Sequence, residues 1–425
     1  MSLILKNVCF INYENLSFSE AHLKVESGKE GSLIFFDKNK FDDIPIHKDD
    51  EVMDCEGKYV TKSFAIGHHH AYSALARGMP APKNNPTNFF EVLKYIWWNI
   101  DKALDRDIIE ACALATAMAC AKAGSTFVID HHASPNFIKG SLDLISDAFE
   151  KVGIDHLLCY EITDRDGLDK AQQGLDETKE YLNKNKGLVG LHASFTVGNT
   201  TLKNAVDLMK NTNSGIHIHV AEDTYDQIHC MEHYNKRVVE RLQEFGALDS
   251  SKTILGHCLH INDTERKIIY DSPAFVVQNT ESNLNNNVGY FNSKGLGKNK
   301  MLGTDGMHSD MLRSSQAAFF VGQSNDQIDF MEAHTRFREV HNYLHLNKFE
   351  GDGENNLVVL NYNPPTEMND DNFLGHFIFG LTSNHVQHVI SNGKLIVKNK
   401  VIQTVNEKEV LQFTKEQSKR LWKRL

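Results

Sequence analysis

The 425-residue chain lacks the features that mark several protein classes. Its 8 prolines and 27 glycines are too few for a fibrous or low-complexity protein, and 41% hydrophobic with 24% charged residues suits a packed core. No long Lys/Arg block interrupts a formal charge of −11, so the electrostatic footprint of phosphate-backbone binding is missing and no nucleic acid partner is expected. The most membrane-like run, Ala111 to Ala121, lies between Glu110 and Lys122 and falls well short of the ~20 apolar residues of a spanning helix. It reads as a buried helix, and no membrane association is expected. The opening Met1-Ser2-Leu3-Ile4-Leu5-Lys6 shows no charged segment followed by a sustained apolar stretch, so export is not expected either. Seven cysteines (Cys9, Cys55, Cys112, Cys120, Cys159, Cys230, Cys258) contain no C-x-x-C pair, from which reduced thiols and a cytoplasmic location are expected.

What is present has a clear order. Residues 1–60 read as short strands and turns, broken at Gly28, Gly31 and Gly57. From about Lys62 the pattern becomes strand, loop, helix, strand. A small-residue helix over 107–123 is closed by Gly124 and followed by the strand Ser125-Thr126-Phe127-Val128-Ile129. Ala171, Leu175, Thr178 and Leu182 share one helical face ahead of a buried strand over 187–191. Helices over 204–210, 238–245 and 263–270 each lead into another strand, and 300–305 closes the series. Repeated units of this kind argue for an α/β fold whose length and number fit a (β/α)8 TIM-type barrel, with a doubly wound sheet as the alternative. Strands return near the end, where 386–391, Asn392-Gly393 and 394–397 make a hairpin signal, and a basic helix over 415–425 follows. The expected domains are 1–60 and 356–425, pairing into a small β-sandwich, around a catalytic barrel over 61–355.

Metal-ligand residue types fall at the carboxyl ends of these strands, where catalytic groups converge in a barrel. His68 and His70 follow Phe64-Ala65-Ile66, and residues i and i+2 of a strand project to one side. His192 ends another strand. In His217-Ile218-His219-Val220-Ala221-Glu222 the two histidines share a face, and Glu222 lies just past the strand end, within reach of metal-bound water. His257 and Asp305, the latter in Leu302-Gly303-Thr304-Asp305-Gly306, end two more strands. Each piece alone is common; a triple His can be a solvated turn, and an Asp before Gly is usually a turn residue. Their conjunction makes a mononuclear metal site the leading hypothesis.

Those motifs resemble the ordered signature of the amidohydrolase superfamily, in its cytosine deaminase and chlorohydrolase branch. Ala71-Tyr72-Ser73-Ala74-Leu75-Ala76-Arg77-Gly78-Met79, Trp97-Trp98 and Asp130-His131-His132-Ala133-Ser134-Pro135 resemble the SsnA-type aminohydrolases within it. The resemblance implies a barrel with a β-sandwich from both termini and one divalent metal ion, zinc or iron, held by His68, His70, His219 and Asp305. It further implies Glu222 as proton shuttle, His257 orienting the attacking hydroxide, Asp305 accepting its proton, and His192 contacting substrate. Some relatives bridge two metals with a modified lysine, but 188–198 contains no lysine, which favours one ion. The implied function is hydrolysis of a C–N bond, deaminating an amino-substituted purine, pyrimidine or related heterocycle by metal-bound hydroxide. A hydrolytic dehalogenase and a noncatalytic barrel scaffold are the alternatives, and a homodimer is the implied assembly. Two departures stand out: Lys62-Ser63 and Ile66 replace the usual Pro-Gly and Asn, and 278–283 lacks the usual proline before Ser282-Asn283. Trp97, Trp98, Phe89, Phe90 and Tyr95 suit either an aromatic lid over a heterocycle or helix packing. Arg77 suits a substrate anion or a surface carboxylate, and His131 and His132 reach the pocket region with no assignable role.

Overall fold

In the computed structural model, which describes residues 2–425, the strands divide between one mixed sheet and two arcs of parallel strands. The mixed sheet takes β1 (Ser2–Ile11), β2 (Phe18–Glu26), β3 (Leu33–Asp37), β4 (Glu51–Asp54) and β5 (Tyr59–Lys62) from one end of the chain. The arcs hold β6 (Phe64–His69), β7 (Ser125–His132), β8 (Asp155–Tyr160), β9 (Val189–Ala193), β10 (Ile216–Val220), β11 (Ile254–His257), β12 (Phe275–Gln278) and β13 (Lys300–Leu302). Then β14 (Leu357–Leu360), β15 (Val386–Ser391), β16 (Lys394–Lys398) and β17 (Val401–Ile402) rejoin the mixed sheet.

Both ends of the chain build that nine-stranded sheet: β14 runs antiparallel to β5, with Leu357 opposite Lys62. A register shift between Leu5 and Val8 keeps Leu3, Leu5, Val8 and Phe10 in one apolar cluster with Leu23, Val25, Val60, Val359 and Ile390. The β15–β16 turn places Asn392 at φ +48° and Gly393 at φ +71°, the left-handed pair that a two-residue hairpin needs. A Cβ on Gly393 would fall 2.1 Å from the Glu26 carbonyl oxygen, so glycine is required there.

The arcs are β6-β7-β8 and β9 to β13, all parallel, with helices in their connections. They meet at two seams carried by isolated bridges: His69 with Asp305, and Leu158 with Gly187 beside Ile162 with Leu191. The helix Arg106–Ala123 ahead of β7 shows why such units form: Asp105 caps it by accepting from the Ile108 amide at 3.1 Å, and Gly124 ends it at φ +88°. Alternation sorts the strands into two apolar sets. Ile66, Val128, Leu158, Val189, Ile218 and Leu255 join the large core with the helices. Ala65, Phe127, Ile129, Leu157, Cys159, Phe275, Val277 and Met301 pack together with Val340, Tyr343 and Leu344.

Three details differ from the sequence reading. β8 was not anticipated, although Gly153 at φ +96° ends the helix Ser141–Val152 just ahead of it. The final helix begins at Glu407, capped by Asn406, rather than at 415, and buries Val410, Thr414, Gln417 and Leu421 along one face. Its charges are not simply solvated: Arg420 and Arg424 donate to Asp105 at 2.7 and 2.6 Å, tying the carboxyl end to the cap of Arg106–Ala123. Among the described residues no helix is long and apolar enough to cross a membrane, and all seven cysteines are unpaired.

Candidate metal centre and pocket

Strand alternation from Ala65 would send His69, not its neighbours, to the interior. The pairing of β6 with β7 prevents this: Ile66 lies opposite Val128 but His69 opposite Asp130, so β6 carries one extra residue. This bulge reverses the parity, turning His68 and His70 inward and His69 outward, where its Nδ1 lies 3.4 Å from Asp130 and its Nε2 3.1 Å from Ser309. Against β11, β10 is regular, with His217 opposite Ile254 and His219 opposite Gly256, and the extra residue in its pairing with β9 lies on β9, so its two histidines share the inner face.

The side chains converge. His70 Nε2 lies 3.1 Å from His219 Nε2 and 3.0 Å from Asp305 Oδ1, while His68 Nε2 lies 3.4 Å from the same oxygen. Donor atoms of His68, His219, His257 and Asp305 all fall within 4.8 Å of one another. The backbone is strained where these groups are presented: Ala221 (φ +46°), His257 (+67°), Cys258 (+53°) and Asp305 (+50°) are all left-handed without being glycine.

The donor chemistry fits a cation. His70 Nδ1 donates to the His131 carbonyl at 2.6 Å and His219 Nδ1 to the His192 carbonyl at 2.7 Å. A carbonyl only accepts, so in the neutral rings both Nε2 atoms are bare lone pairs facing each other. Buried His68 Nε2 and His257 Nε2 have no hydrogen-bond partner. Burial opposes charge on His70, yet the hydrogen bond and charge of Asp305, with Glu161 and Asp130, hold that ring up at about 9. Burial brings His68 down to about 3, and burial with the neighbouring imidazoles keeps His219 well below its usual value. Burial works against the Asp305 carboxylate, but His68 and His70 hold it well below the usual range. Mostly neutral imidazoles beside an ionised carboxylate are the ligand set of a divalent ion.

Above this point opens a cavity lined by His70, His192, His219, Glu222, Asp305 and the aromatics Tyr72, Phe89, Trp97 and Trp98 among others. Glu222 Oε2 sits 3.6 Å from His257 Nε2; burial pushes its carboxyl up to about 7, against the pull of His257 and with the push of Asp305. His192 donates or accepts at Thr196 Oγ1, 2.7 Å away, and burial lowers it to about 3. The lid reading of Trp97 and Trp98 therefore has structural support, whereas Phe90 faces a neighbouring lobe with Phe195 and Tyr225. Arg77 is exposed on another face, near Lys122 and His308. His131 lies beneath the ligands with Nε2 at 3.2 Å from the Leu191 and His217 carbonyls, and His132 turns away to Ser134. Cys258, next to His257, is fully buried and burial pushes its thiol well up, so it serves packing.

Sequence reasoning missed the groups that steady these residues. Ser282 donates to Asp305, Asn283 accepts from His257 Nδ1 at 2.7 Å, and Asn286 donates to Glu222 at 3.4 Å. Their only signal was position, just past the missing proline in the short helix Thr280–Asn285 and its cap that follow β12. Asp101, Glu161 and Arg165 form a buried ion-paired group in the cavity wall, with Arg165 5.3 Å from the Trp98 ring, and nothing local announced it.

Fold and site together define an α/β protein with a buried imidazole–carboxylate centre at the carboxyl ends of parallel strands. The chain belongs to the amidohydrolase family, whose sequence pattern matches residues 67–362. It is 24% identical to a 5-methylthioadenosine/S-adenosylhomocysteine deaminase of Thermoanaerobacter pseudethanolicus, across 100% of both chains. It is 26% identical to a 5'-deoxyadenosine deaminase of Methanococcus vannielii, across 91% of this chain and 94% of that one. The fold matches a zinc-bound adenosine deaminase from Xanthomonas campestris with a TM-score of 0.81 at 16% identity, covering 99% of this chain and 98% of the other.

Proposed function

We propose that this chain is a metal-dependent aminohydrolase that replaces the exocyclic amine of a purine nucleoside or related heterocycle with oxygen and releases ammonia. The observation that carries the reading is the convergence of imidazole nitrogens and Asp305 on one point at the floor of a cavity, with Glu222 beside it. The names of the relatives, deaminases of adenosine derivatives, support the amine and the purine.

His68, His70, His219 and Asp305 would hold one ion, zinc or iron, since neutral imidazoles with a carboxylate suit either. When bound, that ion supplies Lewis acidity, bringing the pKa of a water molecule towards about 7. Asp305 takes the proton of the attacking water. His257, its Nδ1 held by Asn283, orients that water from the unpartnered Nε2. Glu222, pushed by burial up to about 7, exchanges a proton readily near neutral pH and delivers it to the ring nitrogen beside the attacked carbon. As the C–N bond breaks, a proton returned from the carboxylates lets the amine leave as ammonia. His192 contacts the substrate from the cavity wall.

The eight parallel strands and the bridges at both seams support a closed (β/α)8 barrel over 61–355. The self-contained apolar cluster of the mixed sheet supports a sandwich-like β domain from 1–60 and 356–425. The unpaired thiols fit a cytoplasmic location, and a homodimer, testable by sedimentation, completes the proposal. Expulsion of chloride by the same water attack is the second chemistry to test; a scaffold has no use for Glu222 beside the ligands. The deciding experiment is metal analysis, expected to give about one equivalent per chain, with a screen of aminated purine nucleosides for ammonia beside chlorinated heterocycles for chloride. Protein that takes up no metal and releases neither product overturns the proposal.

A further inference from the structure

The imidazoles nearest the centre are not supported alike. His70 and His219 rest on main-chain carbonyls, those of His131 and His192, which survive any change of the side chain there. His68 Nδ1 instead meets another side chain, His217 Nε2, at 2.9 Å. His217 Nδ1 lies 3.6 Å from Cys159 Sγ, and that sulfur lies 3.6 Å from the Asp130 carbonyl oxygen. His68, His217 and Cys159 are all 0% exposed, so solvent does not complete this chain of contacts.

One direction of donation leaves His68 Nε2 free for a cation. In it Cys159 donates its S–H to the Asp130 carbonyl, which can only accept. The sulfur is then free to accept from His217 Nδ1–H, which leaves His217 Nε2 as an acceptor for His68 Nδ1–H. Each neutral ring gives one hydrogen bond and takes one, and the result is a bare Nε2 on His68, the atom that faces Asp305 and the centre. A main-chain oxygen on β7 thus sets the tautomer of a ligand on β6 through side chains of β10 and β8.

We propose that His217 and Cys159 form a tautomer relay that positions His68 as a metal ligand, so that affinity for the divalent ion depends on two residues that never touch it. The proposal rests on the metal centre described above. Partners of this kind fix ring orientation and ligand basicity, and their loss lowers metal affinity about 10- to 100-fold. Residues that merely filled the core would change stability without changing how the ion is held.

The test uses the full chain, stripped and reloaded with zinc in competition with a chromophoric chelator, and in parallel loaded with cobalt(II) for its absorption spectrum. His217→Phe should weaken zinc binding about 10- to 100-fold and shift the cobalt bands. His217→Gln, whose amide oxygen can accept from His68, should recover most of the affinity. Should His217→Phe fail to fold, Cys159→Ala against Cys159→Ser carries the same comparison: alanine should weaken binding by less than His217→Phe, and serine should restore it. Unchanged zinc affinity and cobalt spectrum in His217→Phe, or in Cys159→Ala where that variant stands in, overturn the relay while leaving the metal centre intact. A parent chain that takes up no zinc overturns both.

Discussion

At the amino-terminal ends of the parallel strands the interior is filled by Ala65, Phe127, Ile129, Leu157, Phe275, Val277 and Met301, sealed below by Val340, Tyr343 and Leu344. A few residues further along the same strands it holds His68, His131, His217, His219, His257 and Asp305, equally buried. The lower layer satisfies the backbone with its neighbours and the side chains with each other. The upper layer is a set of buried polar groups, among them the unpartnered Nε2 atoms of His68 and His257, with a backbone that is left-handed at His257 and Asp305. One layer contributes stability, and the other is tolerable only because the first holds it in place. The contrast also explains why apolar substitution should be graded in one layer and decisive in the other.

The sharpest way to break the comparison is Glu222→Gln. It keeps size and leaves the ligands untouched, so metal content should stay at about one equivalent while kcat falls about 10²- to 10⁴-fold; steady-state kinetics beside metal analysis reads both, and undiminished turnover would remove the proton carrier. Next in size, Phe275→Ala in the lower layer deletes a fully buried ring stacked edge-on to Tyr343 at 5.0 Å, and should cost about 3–5 kcal/mol in denaturant unfolding. The surviving folded fraction should bind metal normally; a changed metal site there would mean that the two layers are not separable. The smallest effect belongs to a region remote from both. Asp105→Ala removes a helix cap and the partner of Arg420 and Arg424, and a loss of about 1 kcal/mol with unchanged kcat/KM is expected.

Much of the site was legible because the chemistry is local to short motifs. His68, His70, His219, Glu222, His257 and Asp305 were named from residue type and strand-end position, and the structure brings all of them to one centre. Trp97 and Trp98 could not be assigned from periodicity, since a pocket wall and a packed helix face show the same spacing. Asp101, Glu161 and Arg165 were invisible because a buried ion pair between residues 64 apart leaves no pattern in either segment. Ser282 and Asn283 drew notice only as part of a departure from the usual pattern and Asn286 not at all, and their partners beyond β10, on β11 and beyond β13 decide what they do.

The amino-acid sequence by itself determined the strand–helix repeat and the inventory of ligand-type residues, because hydrophobic period, turn residues and side-chain chemistry are properties of adjacent positions; it only suggested that the two chain ends pair, which the register of β14 on β5 decides. The i, i+2 spacing paired His68 with His70, but tertiary structure supplied the reason that this pair, and not His69, points inward. That depends on one extra residue in β6 relative to β7, a register set by pairing between segments some sixty residues apart, and register is a property of two strands, never of one.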